Sequence, residues 1–360
     1  MPERLASESH LIIDPDTGRT LRQVTAAPCV NHHPFFLCPA RDPSGRYLYF
    51  VSWRTGAPQL YAEDSREGCI LRLTDEPGLD EWSVHPAGDG AYFIAHGDAM
   101  VARSDGTVET LLSAGEALAR FSGALGEGVT ALTRDGSRWA VRLRREKNFG
   151  ILVWERSTRS WSMICSVPMV AQLQFCPDDN DLLFFAGPLT DRVWTLDLRT
   201  RAVRRLYARN AAARQWITHE SWLPGRRELC LVDWPHGLLA VHADTGEVRR
   251  MADFNAWHAI ANEQGTLMVA DTNFPDTGLW LLDPREEHAR PRLLCCPHAS
   301  CMGEHWAHPF PYDNGPIRVN APQYTHPHPR FSPDGRSVIF TSDRTGHAQV
   351  YEIQLEGDAP

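Results

Sequence analysis

A turn-strand-turn-strand unit recurs along the 360 residues and leaves few folds open to the chain. Its two plainest copies are Asp42-Pro-Ser-Gly-Arg-Tyr-Leu-Tyr-Phe-Val-Ser-Trp-Arg-Thr-Gly56 and Ser332-Pro-Asp-Gly-Arg-Ser-Val-Ile-Phe-Thr-Ser-Asp-Arg-Thr-Gly346. Weaker copies of the first turn stand at Ala87-Gly-Asp-Gly90, Arg134-Asp-Gly136, Pro177-Asp-Asp-Asn180, Pro224-Gly225 and Glu263-Gln-Gly265, which makes seven anchors. Most anchors lie roughly 40 to 48 residues apart, the length of a four-stranded propeller blade. Each is followed by an apolar strand, a second strand, and a polar turn leading into a short third strand. The expectation is an all-β chain forming one seven-bladed β-propeller over 1–360, since a β-sandwich would not explain seven copies of one unit. The gap from Gly265 to Gly335 is the exception and accommodates an insertion at about 285–322 between the last two blades. Residues 20–25 precede the first full repeat and are placed to complete the last blade, which removes exposed sheet edges. Helical patterning is nearly absent, with 114–120 the best short candidate.

Composition narrows the function. The formal charge of −9 argues against a nucleic-acid partner. No stretch approaches the roughly 20 apolar residues that cross a bilayer, and the acidic first ten residues lack the apolar region of a secretory signal. The expectation is a cytoplasmic protein with no membrane partner. Oligomeric state is not legible. Nine cysteines form no framework. Cys295, Cys296 and Cys301 stand near His298 and His305, but a structural zinc site takes two spaced pairs, which are missing here, so reduced thiols are expected.

The histidines fall in phase with the repeat. His328 lies seven positions before Gly335, His258 seven before Gly265, and His219 six before Gly225. In a propeller the residues just before each innermost strand line one face, so these three side chains are expected to converge. The densest run is Gln323-Tyr-Thr-His-Pro-His-Pro329, where His326 and His328 are two apart and point the same way in an extended segment. Imidazoles suit Mn, Fe, Ni, Cu or Zn, and the Gln323 amide oxygen adds a harder ligand. The pattern points to a metal site over a merely hydrogen-bonded cluster. Periodicity leaves His219 open as a fourth ligand, a general base, or a histidine packed beside Trp222. Arg54 and Arg344 read as structural turn residues, Arg192 can reach the channel face, and the run from Arg201 to Arg214 reads as a solvated face. His32 and His33, before the first blade, and His305 and His308, in the insertion, are further candidates to line the channel. No phosphate loop, Gly-x-Ser-x-Gly elbow or His-Glu-x-x-His helix is present.

Gln323-x-x-His-Pro-His-Pro329, running into Phe331-Ser-Pro-Asp-Gly335 and Phe340-Thr-Ser-Asp343, resembles the oligogalacturonate lyases, as do Trp257-His258 leading to Asp271-Thr-Asn273, and Thr218-His219. The similarity covers most of the chain and is strongest from about residue 190. It implies a seven-bladed propeller with Mn2+, or another divalent transition metal, held by His258, Gln323, His326 and His328. It also implies His219 as the proton-abstracting base, Arg192 as the catalytic arginine, and short uronate oligomers as substrates in the cytoplasm. The Cys- and His-rich insertion departs from the family pattern and leaves the choice of uronate open. The rival expectation is a non-enzymatic TolB-like propeller that binds a protein partner.

Overall fold

The computed structural model describes residues 2–88, 90–273, 275–300 and 325–355. Among these the chain forms seven antiparallel sheets, the all-β seven-bladed propeller class that the repeat implies. They fall into two compact units: the described residues of Met1–Ser7 with Leu37–Ala208, and those of Glu8–Phe36 with Arg209–Pro360.

The first unit holds four sheets. Tyr47–Ser52, Gln59–Asp64 and Cys69–Arg72 form an antiparallel meander, and Glu3–Ala6 adds to its outer edge in the register Glu3↔Arg72. Inner strands His85–Ala87, Ala131–Leu132 and Ala171–Cys176 open the regions of the next three sheets. Apolar residues from neighbouring sheets interdigitate, as where Tyr92 and Ile94 meet Trp139, Trp154 and Trp161. The expected short helix is Ala114–Phe121. Ser113 caps it by accepting the Glu116 N–H, satisfying one of the orphan donors at the first turn, and Ser122 ends it in the left-handed region.

The second unit holds three sheets and the histidine-rich segments. Trp216–Leu223, Glu228–Trp234, Gly237–His242 and Val248–Ala252 form one; Ala256–Ala261, Met268–Thr272, Leu279–Leu282 and Arg292–Cys295 form the next. Arg292–Cys295 is the outer strand of that second sheet, and residues 301–322 of the expected insertion at about 285–322 lie outside the described residues. The third sheet bears out the reading of the N-terminal strand: Thr20–Gln23 pairs with Gln349–Gln354 in the register Leu21↔Ile353, and His10–Ile13 adds beyond it. Buried Thr25 reinforces this junction, donating to Gln349 Oε1 at 2.7 Å and accepting the Val350 N–H at 3.0 Å. Between the first two of these sheets, Trp216, Trp234 and Trp257 meet edge-to-face with centroids 5.2 to 5.7 Å apart. Such pairs add about 0.5–1.5 kcal/mol each beyond the area they bury, and they fix the backbone that carries His258. No described helix is long and apolar enough to cross a membrane.

Candidate active site

Three inner strands depart from regular pairing at the same place. Between Thr218↔Val232 and Ser221↔Cys230 one strand spends three steps where its partner spends two, and the same mismatch lies between Ala256↔Thr272 and Ala259↔Ala270. In the last sheet Pro327 accepts the Thr341 N–H while Arg330 pairs Ile339, which is the same offset. Each extra residue is a bulge, a device that re-aims side chains out of the pleat. His219 and His328 sit in these bulges at φ +46° and +48°, the left-handed region that a β-carbon disfavours. Conformations of this kind cost of order 1–3 kcal/mol and persist where surrounding structure enforces them.

The bulges bring the imidazoles together. The His258 ring lies with its centroid 4.2 Å from that of His219, 4.2 Å from His328 and 5.7 Å from His326, while His326 and His328 are 5.7 Å apart. All four side chains are buried. Phe36 packs 4.9 Å from His258, Phe35 packs 4.9 Å from His328, and Trp257 meets the His219 ring edge-on at 4.6 Å. His33 closes another side, its Nε2 3.2 Å from the Pro327 carbonyl. Phe35, Phe36 and His33 come from the segment before the first full repeat, which joins this unit through the N-terminal strand.

One carboxylate organises the cluster. Asp271 Oδ2 lies 2.8 Å from His258 Nδ1 and accepts the His328 backbone N–H at 3.2 Å, and its Oδ1 accepts the His258 backbone N–H at 2.7 Å. Burial lowers the His258 and His328 pKa values well below the ordinary imidazole value and brings His33 down to about 4. Burial pushes the Asp271 carboxyl up to about 7, against the pull of the backbone N–H groups it accepts. A neutral His258 carries one ring proton. With Asp271 ionised, Nδ1 faces an oxygen that also accepts a main-chain N–H, which favours the ring proton on Nδ1 and leaves Nε2 its lone pair. His258 Nε2 is buried and has no hydrogen-bond partner among the described residues.

This donor set fits a borderline divalent cation: neutral imidazoles, one of them oriented by a carboxylate, in a buried apolar setting. Nitrogens about 2.1 Å from one ion leave ring centroids roughly 5 Å apart, close to the spacings seen. The nitrogens are gathered but not yet converged. Among the described residues, the one set of three or more His, Cys, Asp or Glu donors lying within 4.8 Å of one another is Asp14, Asp16 and His298. Ligation by His258, His326 and His328 therefore asks at least one ring to rotate. The Asp14 set is better explained by charge pairing. His298 Nε2 lies 2.6 Å from Asp16, and Arg344 approaches Asp14 at 3.5 Å and already supplies a positive partner.

Other expected residues fall as follows. Gln323, Cys301, His305 and His308 lie outside the described residues. Arg192 belongs to the first unit, where its buried guanidinium donates to Gln172 Oε1 at 2.8 Å. Arg54 serves its own turn, donating to Ser52 and stacking over Tyr61. Burial raises the Cys296 thiol to about 11, so it stays protonated near neutrality. Sequence reasoning passed over Asp271 as a chemical group, although an acid inside the apolar strand Met268–Thr272 is the kind of exception that marks a site.

No family model matches the chain. It is 29% identical over 189 residues to the oligogalacturonate lyase of Dickeya dadantii, a match covering 48% of this chain and 46% of that protein, so it spans about half the length of that curated relative. It is also 62% identical over 29 residues to the Tol-Pal system protein TolB of Bordetella pertussis, 8% of this chain and 7% of that one. A solved oligogalacturonate lyase in complex with manganese superposes with a TM-score of 0.82 at 17% identity, covering 98% of this chain and 97% of that one. The oligogalacturonate lyase of Vibrio parahaemolyticus superposes with a TM-score of 0.81 at 16% identity over the full length of both. At these identities the structures speak to fold alone, and the fold is the seven-bladed propeller. In sequence along about half its length and in fold along nearly all of it, this chain is similar to the oligogalacturonate lyases, a group of carbon–oxygen lyases.

Proposed function

We propose that this protein is a metal-dependent lyase that cleaves short galacturonate oligosaccharides by β-elimination. The observation that carries the reading is the buried imidazole cluster on bulged inner strands, with His258 Nε2 left as a lone-pair donor. The similarity to oligogalacturonate lyases, one of them solved with manganese, supports the substrate class and the choice of Mn2+. His258, His326 and His328, with Gln323, would hold the ion.

Elimination from a uronate removes the C5 proton, breaks the C4–O bond and leaves a C4=C5 double bond, while the departing oxygen takes up a proton. The C5 carbon is α to a carboxylate that is already anionic, so its proton leaves only if the added charge is offset. A divalent ion bound to the imidazoles supplies Lewis acidity to that carboxylate. His219 takes the C5 proton, a task suited to an imidazole. Its left-handed backbone and the Trp257 edge fix the direction of its ring. Arg192, a buried cation, is assigned to the anionic substrate, where a fixed guanidinium pairs with a carboxylate. Phe35 and Phe36 keep water from the cluster and strengthen each of these charge interactions.

The test is incubation of the purified protein with digalacturonate and Mn2+, following ultraviolet absorbance of the unsaturated product and its mass. Product lighter by water than a hydrolysis product, lost on chelation and in His328→Ala together with the metal, is the expected result. Absence of product from any uronate oligomer by metal-loaded protein would overturn the reading and leave a non-catalytic, partner-binding propeller in its place.

A further inference from the structure

We propose that Asp271 is the positioning residue of this site, setting the tautomer of His258 and the seating of His328 so that the two rings can share one cation. The inference rests on the metal reading above and concerns a residue with no ligand role in it. The repeat makes the case. Asp271 lies on the second strand of its sheet, between Ala270, paired with Ala259, and Thr272, paired with Ala256, and so directly opposite the bulge. The residues in the same place in other sheets are Phe185, between the partners of Ala171 and Gln174; Leu231, between those of Thr218 and Ser221; and Phe340, between those of Pro327 and Arg330. All three are buried apolar side chains. In this position the fold asks for a hydrophobe, and this one sheet answers with a fully buried acid.

Burying a carboxylate is costly unless donors compensate it. Here the donors all come from the bulge and the adjoining histidine segment: the His258 N–H at 2.7 Å, the His258 ring at 2.8 Å and the His328 N–H at 3.2 Å. A single side chain thus links two segments that approach from different sheets. By accepting a hydrogen bond from Nδ1–H, the ionised carboxylate leaves Nε2 as the only lone pair of His258 and raises the basicity of that nitrogen. His258 is the fixed member of the set, and His326 and His328 are the rings left to adjust.

Asp271→Asn tests this because it keeps the shape and inverts one end. The amide NH2 facing Nδ1 would favour the tautomer with the proton on Nε2, which blocks the ligand atom, an effect known where an aspartate orients a histidine. Metal-stripped wild-type and Asp271→Asn proteins are titrated with Mn2+ by calorimetry, and their unfolding is compared without metal. The expected result is about 10- to 100-fold weaker Mn2+ binding in the variant, the loss typical of such outer partners. Equal Mn2+ affinity in the two proteins overturns the inference, even with the metal-free variant less stable, since that outcome describes a structural acid only. If the variant does not fold, the wild-type imidazole nitrogen resonances decide: a proton on His258 Nδ1 supports the inference and a proton on Nε2 overturns it. Wild-type protein that binds no divalent ion at all removes the metal reading as well, which separates the two failures.

Discussion

The two units of the chain use the same backbone device for different ends. In the first unit, the inner strand Ala171–Cys176 carries the bulge between Ala171↔Ala186 and Gln174↔Phe184, with Gln172 at φ +47°. In the second, His219 at +46° and His328 at +48° occupy that place in their strands. Gln172 spends its amide on Arg192, whereas His219 and His328 both pack against Phe36 and His258, and the His328 N–H bonds Asp271. Among the described residues, twelve histidines belong to the second unit and two, His85 and His96, to the first. The lesson is that the bulge is a property of the repeat and offers an aimed position in several blades, while chemistry arises where side chains of one kind fill consecutive positions and a buried acid stands behind them.

The sharpest way to break this comparison is to truncate the equivalent residues. His219→Ala is expected to lower kcat by roughly 10^2- to 10^4-fold, the worth of a positioned general base, with Mn2+ affinity kept. Gln172→Ala should cost less than about tenfold, through looser placement of Arg192. Steady-state kinetics on digalacturonate and metal titration of both variants read this out. Loss of metal in His219→Ala to the same extent as in His328→Ala would make His219 a ligand, and equal kinetic losses at 172 and 219 would erase the contrast between the units.

Most of the fold was legible because the signal was local and repeated. Turn glycines such as Gly45, Gly225 and Gly335 adopt positive φ where the anchors were read, and Leu21 pairs Ile353 as an N-terminal strand completing the last blade should. The site was legible as far as phase carries. His219, His258 and His328 converge because similar offsets from equivalent turns put all three in the bulged start of an inner strand, although pairing shows His258 one residue further along its bulge than His219 and His328. What phase cannot give is the partner behind the ring. Asp271 lies thirteen residues from His258 and reads as one polar exception in a strand until pairing puts it opposite the bulge. Phe35 and Phe36 were hidden for another reason: their place is set by long-range pairing of the N-terminal strand, which no spacing encodes. Arg192 read as channel-facing on its own, and its tie to Gln172 needed coordinates.

The second way to sharpen the contrast is acid. The His33 pKa is lowered by burial to about 4, below its unfolded value of 6.5. The unfolded chain therefore takes up this proton first. The stability tied to a neutral His33 is complete above pH 6.5 and drains as pH falls to about 4, by roughly 3 kcal/mol in total. The first unit has a different clock. Asp135, held at about 2 mainly by Ser137, contributes stability that is present above 3.8 and lost only as pH falls toward 2. Amide exchange at pH 5 against pH 7.5 is expected to rise in Trp216–Leu223, Ala256–Ala261 and Gln349–Gln354 before it rises in Phe149–Glu155. Simultaneous loosening of both units would show that they unfold as one body and that His33 does not set the threshold. His33→Phe, which removes the titrating ring, should flatten the early loss.

The smallest effect expected is also the most pointed. Gln172→His places an imidazole on the bulge of the first unit, in the backbone conformation that His219 and His328 adopt. The fold should accept it within about 1 kcal/mol, since the position already tolerates a long polar side chain at positive φ. Metal stoichiometry should nonetheless stay unchanged. The strand opposite this bulge carries Phe185 where the second unit has Asp271, a side chain that cannot accept a hydrogen bond from Nδ1–H, and the unit's own histidines, His85 and His96, belong to another sheet region. Metal analysis of the purified variant checks this. A second bound equivalent would mean that an aimed imidazole suffices and that the buried acid is dispensable; an unchanged stoichiometry places the difference between the units in what stands behind the rings, not in the bulge that presents them.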